Sequence, residues 1–210
     1  MNDVTPVVKQ LLIANVLLYI GTNFFGNTAM IYNSLALHSF QDPDFQIWQP
    51  ITHMFMHAPY PSLSHILFNM VGLYSFGTAL EHFWGGKRFL FFYISCGLGA
   101  AVIQNLTNQY FFNDIASTAV GASGALYGVI AAFAIMLPNA EMMLIFLPFP
   151  IKAKFFVPVL IGLDLFGAFS GFSIFGGGNI AHFAHIGGAL TGGIIMFFWR
   201  DNKFNHKRLN

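Results

Sequence analysis

Three short stretches carry side chains that could do chemistry together: Ser64-His65-Ile-Leu-Phe-Asn69, Gly121-Ala-Ser123-Gly124 with Tyr127, and His182-Phe-Ala-His185 followed by Gly188 and Gly192. A serine hydroxyl is a weak nucleophile until a neighbouring base takes its proton, and histidine titrates in the range that suits this task. Once such an oxygen adds to a carbonyl, the resulting oxyanion needs fixed hydrogen-bond donors. An asparagine amide, a histidine ring N–H and the free N–H groups of a helix start can supply them. These residue types therefore fit acyl transfer, with Ser123 as nucleophile, His185 as base, and His65 and Asn69 as oxyanion donors. Tyr127, one turn along from Ser123, is spaced to support the imidazole of His185. Alone, however, a serine among glycines at a helix start reads as an ordinary cap, so its standing depends on what brings the three stretches together.

Of the 210 residues, 56% are hydrophobic and 8% charged, and the mean hydropathy is +0.62. Soluble domains carry about 25% charged residues. This composition cannot cover a water-facing surface, and it falls into blocks long enough to cross roughly 30 Å of hydrocarbon. The expectation is an all-α, polytopic membrane protein: one domain over 1–210 with six spans at about 10–25, 63–80, 89–107, 123–137, 155–172 and 180–199. The first run has only a weak cleavage site after it and is read as a retained span. Lys9, Lys87, Arg88, Lys152, Lys154, Arg200, Lys203, Lys207 and Arg208 all fall on alternate connections. The positive-inside rule then predicts that both termini are cytoplasmic. A net charge of +1 gives no hint of nucleic acid, and the single Cys96 admits neither an intramolecular disulfide nor a zinc finger.

With that orientation, spans two, four and six all run inward, so their N-terminal ends, and with them the three stretches, share one external level. On span six His185, Gly188 and Gly192 lie on one face, and small residues at this spacing let a neighbouring helix approach closely. If that neighbour is span four, through Gly128 and Ala131, His185 is brought toward Ser123. Span four is short, about 22 Å at 1.5 Å per residue, so Ser123 is recessed below the outer interface. Irregular backbone at that depth implies a hydrated pocket opening outward. Gly121 and Gly124 are read as leaving room for a substrate backbone. The connection 30–62, broken by Pro43, Pro50, Pro59 and Pro61, reads as an interfacial element anchored by Trp48 and Tyr60. Asp164 falls in mid-span, apart from the serine's level, and is read as a structural hydrogen-bonding residue, which leaves a Ser/His dyad. His53 and His57, or His182 and His185, could suggest metal. Zinc sites add further Cys, His or carboxylate ligands to such pairs, so neither a metal nor any other cofactor is expected.

His65-x-x-x-Asn69, Gly121-x-Ser123-Gly124 with Tyr127, and Ala184-His185-x-x-Gly188-x-x-x-Gly192, in this order on spans two, four and six, resemble the rhomboid intramembrane serine proteases in their six-helix bacterial form. The resemblance implies a serine endopeptidase in the lipid bilayer that cuts peptide bonds in or near the transmembrane segments of protein substrates. It carries the nucleophile to Ser123, the base to His185 and the oxyanion donors to His65 and Asn69. Glu81 matches a family position whose carboxylate ties helices together. Lateral substrate access past span five and the loop Phe172 to Ile180, a preference for small residues near the cut, and a bacterial inner membrane location follow as expectations. One departure stands out: many family members carry Trp-Arg in the first external loop, where this chain has Trp48-Gln49. The competing readings are an inactive rhomboid-like adaptor, which would lose Ser123 or His185, and a transporter, which would place polar groups at the membrane midplane.

Overall fold

The computed structural model describes residues 3–142, 150–170 and 181–200, without the side chain of Arg200. Among the described residues the structure is mostly helical. Helix α1 (Pro6–Phe24) is followed by two short helices, α2 (Thr28–Leu35) and α3 (Gln49–Thr52), in the long first connection. Next come α4 (Leu63–Gly72) and α5 (Thr78–Trp84), joined through a π-helical turn at Leu73–Gly77 into one continuous run, Leu63–Trp84. Helix α6 (Gly86–Thr107) extends through a second π turn to Phe112, and α7 (Ser123–Met136), α8 (Ala153–Ser170) and α9 (His182–Arg200) complete the bundle. Between α7 and α8 lies a small antiparallel hairpin, β1 (Glu141–Met142) against β2 (Ile151–Lys152).

Among the described residues, five helical runs are long and apolar enough to cross a membrane, and α7 is a shorter sixth apolar helix. The chain is an integral membrane protein of polytopic, all-α type. The ends expected for spans five and six, at 171–172 and Ile180, lie outside the described residues, as do the access loop to Ile180 and the cations Lys203, Lys207 and Arg208.

Helix α7 is the axis of the bundle. It is apolar on every face, with Gly124 through Ala132 buried, as expected of a helix enclosed by others. Its closest neighbours are α9 and α6, and glycines set the approach. A methyl group at Gly188 would collide with the carbonyl oxygen of Gly124, and one at Gly192 would sit 2.8 Å from the Cα of Gly128. The two backbones touch directly along this seam, leaving no room for a side chain. Behind them, Tyr93, Phe89, Phe92, Met54, Leu73 and Leu80 are fully buried. The start of helix α1 is tied to α5: the buried carboxylate of Glu81 accepts hydrogen bonds from the backbone N–H groups of Val7 (3.0 Å) and Val8 (2.8 Å). These are free donors of a helix's first turn, where a negative charge is favoured.

Candidate active site

Ser123 is the first residue of α7, and the backbone before it is held from outside. Gly121 N–H donates to the His53 carbonyl at 2.9 Å, and Ala119 and Leu37 exchange two backbone hydrogen bonds of 2.9 Å. Gly121 itself has φ of +131°, a conformation that glycine adopts without strain. A Cβ there would also lie 2.9 Å from His65 Nε2 and 3.4 Å from Ser123 Oγ. The missing side chain is what lets the ring of His65 and the serine hydroxyl face one small space.

His185 lies in the first turn of α9, and the glycine seam delivers it to the head of α7. Its Nε2 is 2.7 Å from Ser123 Oγ, and its Nδ1 is 2.6 Å from Asp164 Oδ2. An ionised carboxylate only accepts hydrogen bonds, so Nδ1 carries the proton and donates to Asp164. Nε2 of the neutral ring is then free to accept from the serine hydroxyl. Tyr127 packs flat on this imidazole, with ring centroids 4.2 Å apart and planes 10° from parallel. Tyr127 also interacts with Asp164, so it braces both the ring and the carboxylate behind it.

Asp164 thus stands where the sequence reading did not put it. That reading set it apart on grounds of depth and left a two-residue arrangement. In the structure the carboxylate is buried and takes His185 on one oxygen and His182 Nδ1 on the other. The reason is geometric. Asp164 is about 9 Å from the end of α8 at 1.5 Å per residue, and the shortness of α7 sinks Ser123 by a comparable distance. The depth argument applied to the serine holds for the carboxylate too.

The two candidate oxyanion donors sit on α4. His65 Nδ1 accepts the backbone N–H of Ala58 at 3.0 Å, which leaves the ring proton of a neutral His65 on Nε2, the nitrogen facing Gly121 and Ser123. Asn69 is buried one turn further on. One of its amide hydrogens goes to the His65 carbonyl at 2.7 Å, and the second remains for another acceptor.

Two glycines take different parts. Gly121 leaves space beside the serine hydroxyl, whereas Gly124 does not. A methyl at Gly124 would meet the Cβ of Ala100 at 2.6 Å and the Ala184 carbonyl at 3.5 Å, so its space is filled by α6 and α9 rather than left for a substrate. One positioning contact carried no sequence signal at all. The Gln104 side chain of α6 accepts the backbone N–H of Ala184 at 2.9 Å, capping α9 immediately before His185.

Gln49, where many family members carry arginine, is a hydrogen-bonding centre of the first connection. Fully buried, it accepts the His38 N–H at 3.2 Å and donates to the carbonyls of Asn33 (3.3 Å) and Asp44 (3.2 Å). A neutral amide, with one acceptor and two donors, gathers three strands of the loop. Trp48 and Tyr60 are surface-exposed, and the Trp48 indole N–H donates to Ser34 O at 2.9 Å.

The family model for the Rhomboid domain matches residues 44–202. The chain is 29% identical to RHOMBOID-like protein 12, mitochondrial, of Arabidopsis thaliana over 94% of its own length and 60% of the relative's. It is 30% identical to Rhomboid protease GluP of Bacillus subtilis over 69% of the chain and 24% of the relative. It is 33% identical to the human presenilin-associated rhomboid-like protein, mitochondrial, over 62% of the chain and 33% of the relative. The chain therefore corresponds to between a quarter and three fifths of the length of these relatives. With the domain model covering most of the sequence and the helical bundle built around α7, the chain belongs to the rhomboid family.

Proposed function

We propose that the protein is an intramembrane serine endopeptidase, with Ser123 as nucleophile, His185 as general base and Asp164 as the group that holds the base in its working tautomer. The observation that carries this reading is the continuous hydrogen-bonded chain Ser123 Oγ, His185, Asp164. The relative GluP is named a protease, which agrees with it. The substrate class is a transmembrane segment of another protein, unwound near the cut because a helical scissile carbonyl is enclosed by its own hydrogen bonds.

In the first half-reaction Ser123 Oγ adds to the scissile carbonyl carbon while its proton passes to His185 Nε2. The carbonyl π electrons move onto oxygen, and that oxyanion is received by His65 Nε2–H, the second Asn69 amide hydrogen and the backbone N–H groups at the head of α7. The buried Asp164 carboxylate balances the imidazolium through Nδ1–H and Tyr127 keeps the ring plane fixed. Collapse expels the amine, which takes the proton from His185, and leaves an acyl-serine. Water then repeats the sequence with His185 again as base. The membrane is proposed to be a bacterial inner membrane, although two of the relatives above are named mitochondrial.

The test is cleavage of a labelled transmembrane substrate by the purified chain, alongside labelling by a fluorophosphonate probe. Ser123→Ala should abolish both. Asp164→Asn, which keeps the shape but disturbs the tautomer of His185, should lower kcat by about 10²–10⁴-fold with little change in KM. Undiminished cleavage by Ser123→Ala would overturn the nucleophile, and undiminished kcat in Asp164→Asn would return the site to a Ser/His pair.

A further inference from the structure

Asp164 serves two histidines, and the second has no part in the proposed reaction. His182 Nδ1 and His185 Nδ1 converge on opposite oxygens of one buried carboxylate, and the three ligand atoms all lie within 4.8 Å of one another. Two imidazole nitrogens and a carboxylate are a donor set that takes zinc, with bonds of about 2.0–2.2 Å and ligand atoms about 3.4 Å apart in a tetrahedral site. The Nδ1–carboxylate contact of 2.6 Å at His185 is shorter than this, so the rings must draw back from Asp164 to admit an ion between them. His182 and His185 are three apart on the first turn of α9, so one helix presents both. The sequence argues against metal at this pair for want of a further ligand. The fold supplies that ligand from α8.

We propose that Asp164, His182 and His185 form a binding site for a divalent transition-metal ion of the zinc type, and that occupancy silences Ser123. Metal ligation requires an unprotonated Nδ1 on each ring. His185 then carries its proton on Nε2, as does His182, each Nδ1 proton having been lost to water and one regained on the other nitrogen. The ion stays divalent, and water completes its coordination. An Nε2 that carries a proton cannot accept one from the serine hydroxyl, and Asp164, now a metal ligand, no longer fixes the working tautomer. The silencing rests on the proposed roles of Ser123 and His185, whereas the binding does not.

Zinc binding to the full chain in detergent, read by competition with a chromophoric zinc chelator, separates the two. An Asp42→Asn background removes the second His/Asp group, formed by His38, Asp42 and Asp44. The informative variant is His182→Asn, whose amide can still donate to Asp164 but does not serve as a zinc ligand, so folding is preserved. Zinc should bind the parent and Ser123→Ala alike. Binding to His182→Asn should weaken by more than the roughly 10–100-fold typical of losing a group that merely supports a ligand. Zinc should also block fluorophosphonate labelling of the parent in step with occupancy, reversibly on chelation, while labelling of His182→Asn, relative to its own metal-free level, stays unchanged. Equal affinity of His182→Asn and the parent would overturn the site. Full labelling of the zinc-saturated parent would overturn the silencing. Failure of the metal-free parent to label would count against the protease reading alone, because binding to Ser123→Ala still decides the site.

Discussion

His57 lies in the first connection with both ring nitrogens buried and making no well-formed hydrogen bond among the described residues, edge-on to His65 with ring centroids 5.3 Å apart. Burial, and then the neighbouring His65, push its pKa down to about 3, and burial pushes that of His53 down to about 4 despite the hydrogen bond from its Nδ1 to the Gln49 carbonyl. Both rings are neutral in the folded protein, whereas in the unfolded chain they take up protons below about pH 6.5. The unfolded state therefore binds more protons as the pH falls. Their contribution to stability is complete above about pH 6.5 and is lost progressively toward pH 4 and then 3. Thermal melts in detergent should show a midpoint that drops between pH 6.5 and 4, and His57→Leu should flatten that slope. An identical slope in the variant would remove His57 as a cause. The loop's hydrogen-bonding pattern also shows where residue-level reading stopped. Gln49 offers one acceptor and two donors to backbone groups 5 to 16 residues away in sequence. No local spacing announces such a partnership. Asp164 is different, because the helix rise that sinks Ser123 below the interface places the carboxylate at a comparable depth.

Among the helices, the contact that positions the site is the seam between α7 and α9. Its closeness was legible, because glycines at 188 and 192 on the face of His185 require a neighbour whose own surface is small. The partners are Gly124 and Gly128: Gly128 is one of the two residues the sequence suggested, and Gly124, one turn above it, takes the part expected of Ala131. Ala131 is buried in the same core but is not the atom set against the α9 glycines. The capping of α9 by Gln104 was not legible, since a polar residue within an apolar helix names no acceptor or donor by itself. Gly188→Ala tests the seam. Its methyl group would overlap the Gly124 carbonyl, and backbone cannot rotate away as a side chain can, so α9 must shift. The expected cost is about 1–3 kcal/mol of stability, read as a lowered melting temperature. A displaced His185 should also lower kcat while leaving KM nearly unchanged, since the shift moves the base rather than a binding surface. Wild-type stability and turnover in Gly188→Ala would show that the seam is looser than the structure has it.

For the molecule as a whole, the helices fix which residues share an end of the bundle, and the charge pattern predicts which end faces the cytoplasm. Ser123, His65 and His185 begin α7, α4 and α9, so they collect at one end together with the first connection. Lys9 near the start of α1, Lys87 and Arg88 at the start of α6, and Lys152 and Lys154 beside the hairpin and the start of α8 belong to the opposite end. Alternation of the spans makes this separation automatic once the number of crossings is right, which is why so much of the architecture could be read from the positions of a few cations. The direction does not follow from packing. It follows from the preference of Lys and Arg for the cytoplasmic side, and it predicts a serine that opens away from the cytoplasm. Two exposed positions report on it: Ile47, 85% exposed in the first connection, and Glu141 in β1. The native Cys96 is fully buried and should stay silent, so introduced cysteines can be read singly. In intact spheroplasts a membrane-impermeant maleimide should label Ile47→Cys and should reach Glu141→Cys only after permeabilisation. The reverse pattern would turn the molecule over and place the serine on the cytoplasmic side, where the proposed cleavage would release a different half of any substrate.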